Sequence, residues 1–250
     1  MSDGGILQVL MPMAGRGTRF AAAAPNVPKP LIPVGGSPMF RHALESLASV
    51  KGALEVVAVA QECDLRERHM AAELAAACPG IRIVSLQRVT RGAVETCLHA
   101  ENRLVGSRAL MVLDCDLRFT APAFLELAGR AAQGRASFDA ALLCFRSRDS
   151  RYSFAELEGS RVLRTAEKRP ISDAAICGAY LFRSANCFFD AARRLMRKPP
   201  FPEYYVSGVL NELLALEARV TAVMAERVLS FGTPEELEHS APLVPLLKAA

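Results

Sequence analysis

Leu7-Gln-Val-Leu-Met-Pro-Met-Ala-Gly15-Arg-Gly-Thr-Arg19-Phe20 is an apolar run that passes directly into a glycine-rich, doubly basic loop. Shortly after it stands Pro28-Lys29-Pro30-Leu31, a lone lysine between two prolines. A strand that opens into such a loop offers free backbone N–H groups beside two guanidinium groups, a combination suited to a polyphosphate. Arginine forks match phosphate oxygens in pairs, whereas Lys29 acts as a compact point charge. Pro28 and Pro30 fix φ and restrict their neighbours, so Lys29 is presented from a stiff loop. The loop is not a dinucleotide fingerprint, because Phe20 stands where a third glycine is needed, and no Gly-Lys-Ser/Thr follows to make a Walker A loop.

Outward from this stretch, short apolar runs alternate with helical patterns. Residues 6–11, 54–60, 81–86, 109–113 and 138–145 have strand length and composition, and 38–49, 64–78, 93–105 and 122–132 have helical spacing. Asp64 with Glu67 reads as a capping box at the start of the second of these helices. Such alternation implies βαβ units and a mostly parallel sheet covered on both faces. Farther on, 152–158 and 161–166 flank Gly159-Ser160 as a hairpin, and 174–182 and 219–225 read as strands. Residues 185–196 and 203–216 read as helices, and Gly232-Thr-Pro234 opens a last helix with proline in its first turn. The pattern predicts a single α/β domain over 1–250 with a mixed-sheet extension. In such sheets ligands bind at the carboxyl ends of the strands, where Gly15–Arg19 and Asp114–Asp116 both emerge.

With 250 residues, half of them apolar, the chain is long enough for a substantial core, and a net charge of +4 without clustered basic runs argues against nucleic-acid binding. No apolar stretch reaches the roughly 18 residues that a membrane span needs. The start shows no basic n-region of a signal peptide. The seven cysteines include no C-x-x-C pair and read as small core residues of a reducing compartment, so the expected location is cytoplasmic. The four histidines lie in helical or terminal patterns without an acid–serine companion, and no nucleophile elbow occurs, so covalent catalysis has no support.

Three further blocks carry chemistry. Asp114-Cys-Asp116 places two carboxylates after an apolar run, where hard oxygen ligands suit Mg²⁺ together with substrate phosphates. Gln87-Arg-Val-Thr90-Arg91-Gly92 opens a helix, with Thr90 or Gly92 as its cap. Thr165-Ala-Glu167-Lys168 precedes Ile176-Cys-Gly178-Ala-Tyr180; alone, a Glu-Lys pair is usually a solvated surface, and its weight here comes from its order along the chain.

In that order the blocks resemble the nucleotidylyltransferase family that makes NDP-sugars from sugar 1-phosphates, the sugar-nucleotide pyrophosphorylases. Its signature reads G-x-G-S/T-R followed by P-K-P-L/M. The resemblance runs on to Gly232-Thr-Pro-Glu-Glu and covers nearly the whole chain. It implies a Rossmann-like three-layer α/β/α fold with a mostly parallel mixed sheet, of the nucleotide-diphospho-sugar transferase type, in a short form without a C-terminal repeat domain. Residues 1–135 are then the nucleotide-binding half and 136–250 the acceptor-binding half. By resemblance, Ala14, Gly15, Arg16, Gly17, Thr18, Gln87 and Gly92 bind the nucleotide. Arg19, Lys29 and Lys168 carry catalysis, Glu167, Gly178 and Tyr180 bind the acceptor, and Asp116 with Asp114 holds Mg²⁺. The partners implied are an NTP and a small phosphorylated acceptor, with no nucleic acid and no membrane; homo-oligomerisation stays open.

One departure stands out. The family commonly ends this region with W-x-D-x-G-T, whose aspartate is a second metal ligand, whereas here Ser230 takes that place in Val228-Leu-Ser230-Phe-Gly232-Thr233. Either Asp114 compensates, or Asp116 and phosphates hold the metal alone, or activity is impaired. The loop 21–26 also lacks the glycine-tyrosine common in related short transferases. The acceptor is therefore a sugar 1-phosphate or, with CTP, a small non-sugar phosphate or phosphonate such as phosphocholine. A nucleotide-binding protein without turnover is the reading from another class. A glycosyltransferase using Asp114-Cys-Asp116 is weaker, because Gly15–Arg19 with Lys29 suits an uncleaved triphosphate better.

Overall fold

The computed structural model describes residues 5–198 and 203–247. In chain order the strands are β1 (Ile6–Pro12), β2 (Pro33–Val34), β3 (Ser37–Pro38), β4 (Ala53–Gln61), β5 (Arg82–Leu86), β6 (Leu110–Leu113) and β7 (Leu117–Thr120). They continue with β8 (Ala140–Arg146), β9 (Ser153–Glu158), β10 (Arg161–Glu167), β11 (Ala174–Phe182), β12 (Val220–Met224) and β13 (Arg227–Ser230). The helices are α1 (Met39–Glu45), α2 (Glu62–Glu67), α3 (Met70–Ala77), α4 (Ala93–Leu98), α5 (Pro122–Ala132), α6 (Ala185–Met196), α7 (Val206–Leu214) and α8 (Pro234–Ser240).

Nine strands form one sheet in the order β5-β4-β1-β6-β11-β8-β12-β10-β9. β5, β4, β1 and β6 are mutually parallel, as the βαβ reading requires. β11 then runs antiparallel to both β6 and β8, joining the parallel half to the later strands. Alternate residues of β1 face opposite sides of the sheet. Leu7, Val9 and Met11 join Phe40, Leu74 and Phe124 from α1, α3 and α5, while Leu10 joins Val94, Phe188 and Leu210 from α4, α6 and α7. The result is the three-layer α/β/α arrangement. Even the one polar residue inside β1 is satisfied: the buried Gln8 amide donates to Val105 O at 3.0 Å and accepts from Val105 N at 2.7 Å.

Several element boundaries differ from the sequence expectation, each for a local reason. The helix predicted over 64–78 is two, α2 and α3, broken at His69, which takes a left-handed conformation (φ 56). Asp64 and Glu67 form no capping box. The helix starts earlier, after Gln61, and Asp64 lies inside it, bonded to Arg68 at 3.0 Å. The helix predicted over 93–105 stops at Leu98, and a single 3₁₀ turn, Glu101–Arg103, brings Val105 back to Gln8. The one predicted over 203–216 begins only at Val206, because Tyr204 pairs by backbone with the turn at Arg91–Val94. β7 and β13, which pair antiparallel with each other, had no separate signal.

Candidate active site

At the carboxyl end of β1 the chain turns sharply, and Gly17 adopts the left-handed region (φ 60, ψ 26). A Cβ there would lie 3.2 Å from that of Lys29, so glycine serves both the turn and the close approach. Gly15 faces open space instead, leaving its backbone free for a ligand. Phe20 ends the turn by burying its ring with Ile32, Val34 and Phe231, which is why an aromatic residue and not a glycine stands there. Lys29 lies on a 3₁₀ turn, Lys29–Leu31, opened by Pro28 and tied by Leu31 N to Pro28 O at 2.8 Å.

From this turn the Lys29 ammonium reaches Asp116 Oδ2 at 2.5 Å. Burial pulls the Lys29 pKa down, but the Asp116 carboxylate, with Cys115 and Asp114, more than offsets it and the net shift is upward. The partner shift is complementary: burial pushes Asp116 up, and the Lys29 charge and hydrogen bond bring it below the ordinary carboxylate value. Asp114, one residue away from Cys115, is pushed up to about 7 by burial and by the Asp116 charge. Two neighbouring carboxylates are thus held in different states, with Asp116 the anionic one.

Asp114 is fixed from the opposite strand. Its N–H donates to Gly178 O at 2.9 Å, and a Cβ on Gly178 (φ 89) would collide with its carboxylate. Gly178 lies where the register of β11 slips against β8, a bulge beside a site. Beyond it, Glu167 at the end of β10 accepts hydrogen bonds from Ser153 Oγ and, at 3.1 Å, from Ser207 Oγ. Lys168 follows in a left-handed conformation (φ 50), its N–H bonded to Tyr152 O at 3.0 Å. Its ammonium donates to Tyr205 Oη at 2.7 Å and lies 5.0 Å from the ring centroid; Tyr205 donates in turn to Glu203 at 2.5 Å.

These groups line one cleft of about 740 Å³. Ala14, Gly15, Arg16, Gly17, Thr18, Arg19, Lys29, Gly92, Asp114, Asp116, Glu167, Lys168, Gly178 and Tyr180 all face it. Gln87 does not: it is exposed just past β5 and lies outside the cleft lining, because the chain turns toward the cleft only at Val89. Gly92 is also a structural necessity. At φ 126, a Cβ would come within 2.6–2.7 Å of the Tyr204 backbone, which is bonded to Arg91 and Val94. Thr90 and Gly92 share the helix start: Gly92 occupies the cap position of α4, and Thr90 Oγ1 bonds Gly92 O at 3.2 Å and Thr96 Oγ1 at 2.6 Å. The sequence reading gave no site role to Arg151, Tyr152 and Tyr205, which also line the cleft and carry no local motif, nor to Glu236, which ends the Gly232-Thr-Pro-Glu-Glu block and lines it too.

The donor chemistry suits a divalent cation. Among the described residues no three His, Cys, Asp or Glu side chains form a metal cage. Mg²⁺, however, is usually held by one or two carboxylates together with substrate phosphates. Phe231 N donates to Asp116 O at 2.8 Å and so brings the end of β13 beside that carboxylate. At Gly232 the position of an added Cβ lies 3.2 Å from Asp116 Oδ2, 2.9 Å from Glu236 Oε2 and 3.8 Å from Ser230 Oγ. Three side-chain oxygens thus lie within 4 Å of the point that a side chain at Gly232 would occupy.

The fold and its cleft are of the nucleotide-diphospho-sugar transferase type. The MobA-like NTP transferase domain model matches residues 9–231, and the chain belongs to that family. It is 30% identical over 235 residues to the bifunctional protein GlmU of Thermus thermophilus, covering 90% of this chain and 49% of that protein. The chain spans about half the length of the curated relatives it matches. Its fold is shared with a nucleoside-diphosphate-sugar pyrophosphorylase from Vibrio cholerae (TM-score 0.77, 24% identity, 94% of this chain and 99% of that one). It is shared also with the inositol-1-phosphate CTP transferase of T. maritima (TM-score 0.75, 16% identity, 97% and 96% covered).

Proposed function

We propose that this chain joins an NTP to a sugar 1-phosphate, releasing pyrophosphate and forming an NDP-sugar. The observation that carries this reading is a single cleft with the Gly15–Arg19 loop and Lys29 on one side, Glu167 and Lys168 on the other, and Asp114 and Asp116 between them. A phosphate oxygen of the acceptor attacks the α-phosphorus in line. A new P–O bond forms there as the bond to the leaving pyrophosphate breaks. That oxygen is already ionised at neutral pH, so no general base is needed, and catalysis reduces to alignment and charge neutralisation.

Arg16, Arg19 and Lys29 cradle the triphosphate, Lys168 steers the acceptor phosphate, and Glu167 accepts from acceptor hydroxyls. Asp116, with Asp114 beside it, would hold Mg²⁺, which when bound neutralises charge on the phosphate oxygens. In this reading residues 1–135 supply the nucleotide side and 136–250 the acceptor side. The seven free thiols, four of them buried, support a reducing, cytoplasmic setting. Among the described residues no helix is long and apolar enough to cross a membrane.

The test is pyrophosphate release in Mg²⁺ buffer, with each NTP in turn and a panel of phosphorylated acceptors. Release with one NTP and a hexose 1-phosphate is expected. Release only with CTP and a non-sugar phosphate would replace the acceptor class, and silence across the panel would overturn turnover itself.

A further inference from the structure

We infer that Glu236 supplies the second carboxylate of the metal site, in place of the aspartate that Ser230 displaces. The inference rests on the proposed reading of Asp116 as a metal ligand and adds a residue to it. Ser230 leaves the cleft without a carboxylate at the end of β13. One turn farther on, α8 restores it. Thr233 caps that helix, accepting from Glu236 N at 3.2 Å, and this fixes where the Glu236 side chain departs. The Tyr152 hydroxyl donates to Glu236 Oε1, and Arg151 stands 3.7 Å from the same oxygen. With Oε1 so engaged, Oε2 is turned to the point beside Gly232 that Asp116 Oδ2 also faces.

Gly232 supports the assignment independently. Its φ lies outside the left-handed region, so the backbone there does not require glycine. What glycine provides is space: a methyl group at this position would lie 2.9 Å from Glu236 Oε2 and 3.2 Å from Asp116 Oδ2, within the room a cation shared by the two carboxylates needs. The Lys29 ammonium lies 2.5 Å from Asp116 Oδ2, so a cation bound here shares that carboxylate with it. Two carboxylate oxygens close to one glycine position would form part of an oxygen coordination shell, which substrate phosphates and water would complete.

The test is Mn²⁺ binding by electron paramagnetic resonance on the whole protein, without substrate, so that it is read apart from turnover. Glu236→Gln keeps the volume and a hydrogen bond to Tyr152 while removing the charge, and is expected to weaken Mn²⁺ at least about tenfold. Gly232→Ala, which removes no charge, is expected to weaken it comparably by filling the void. Asp116→Asn is the control for the underlying reading. Wild-type affinity in Glu236→Gln beside loss in Asp116→Asn overturns the role of Glu236 and leaves Asp116 standing. Wild-type affinity in Asp116→Asn, or no Mn²⁺ uptake by the wild-type protein, overturns both. Anomalous scattering from Mn²⁺-soaked wild-type crystals decides the matter without any variant: a peak in ligand contact with Glu236 Oε2 and Asp116 supports the inference, and a peak away from Glu236 overturns it.

Discussion

Lys29 does two things at once. Its ammonium pairs with Asp116 and stands beside the Gly15–Arg19 loop, which is proposed to receive the triphosphate. Removing it takes one preorganised charge from the transition state, a loss on the order of 10²–10³-fold in kcat if oxyanion contacts are a guide. Gly178 is under tighter constraint. Gly178→Ala adds a methyl group against the Asp114 carboxylate at a φ of 89, so it is expected to lower stability by about 1–3 kcal/mol and to reduce turnover through displaced carboxylates. Urea denaturation and steady-state kinetics on the same preparation check both. At this scale the cleft lining was legible where it is made of consecutive residues. Gly15–Arg19, Lys29 and Asp114–Asp116 each declare themselves by a glycine, a proline frame or a strand end. Tyr205 does not, because it becomes meaningful only against Lys168, far away in the chain, and Glu236, though inside the Gly232-Thr-Pro-Glu-Glu block, is set near Asp116 only by the fold. Gln87 matched a motif by position, while the chain at the end of β5 leaves it in solvent, outside the cleft lining.

Among the elements, β10 and α7 are joined by an unusual strap. Asn211 donates to Thr165 O at 2.9 Å and accepts from Thr165 N at 2.8 Å, so one side-chain amide pairs the backbone as a neighbouring strand would. Asn211→Leu leaves both groups of Thr165 without that partner and is expected to cost about 2–4 kcal/mol, read by chemical denaturation. It is also expected to loosen the hold on Glu167 and Lys168, two and three residues on, raising the acceptor KM more than the NTP KM. The inner strands of the parallel half, β1, β4 and β6, were predictable because their apolar runs are buried on both faces and bounded by turn residues. β7 and β13 were not. They are four residues each and pair only with one another, so their burial alternates too briefly to register as a strand pattern. Helix ends were misjudged where backbone groups are used elsewhere, as at Tyr204, whose N–H donates to Arg91 O at 2.7 Å and whose carbonyl accepts from Val94 N at 3.1 Å.

For the molecule as a whole, β11 is the joint. By running antiparallel between β6 and β8 it sets Asp114 and Gly178 side by side and brings the Glu167–Lys168 corner to face the Gly15–Arg19 loop across the cleft. The βαβ alternation made the layered architecture readable, but no local pattern states the direction of a buried nine-residue strand such as β11. A nucleotide that binds the folded cleft alone must stabilise the whole domain. At about 100 times its Kd the accepted NTP is expected to add about 2.7 kcal/mol, visible as a rise in melting temperature that Lys29→Ala diminishes. The most direct measurement is pyrophosphate release by the wild-type protein, Lys29→Ala and Lys168→Ala, with the accepted NTP and acceptor each varied. Lys29→Ala is expected to fall on the order of 10²–10³-fold in kcat, and Lys168→Ala to raise the acceptor KM while the NTP KM holds. Wild-type kinetics in Lys29→Ala would contradict nucleotidyl transfer in this cleft.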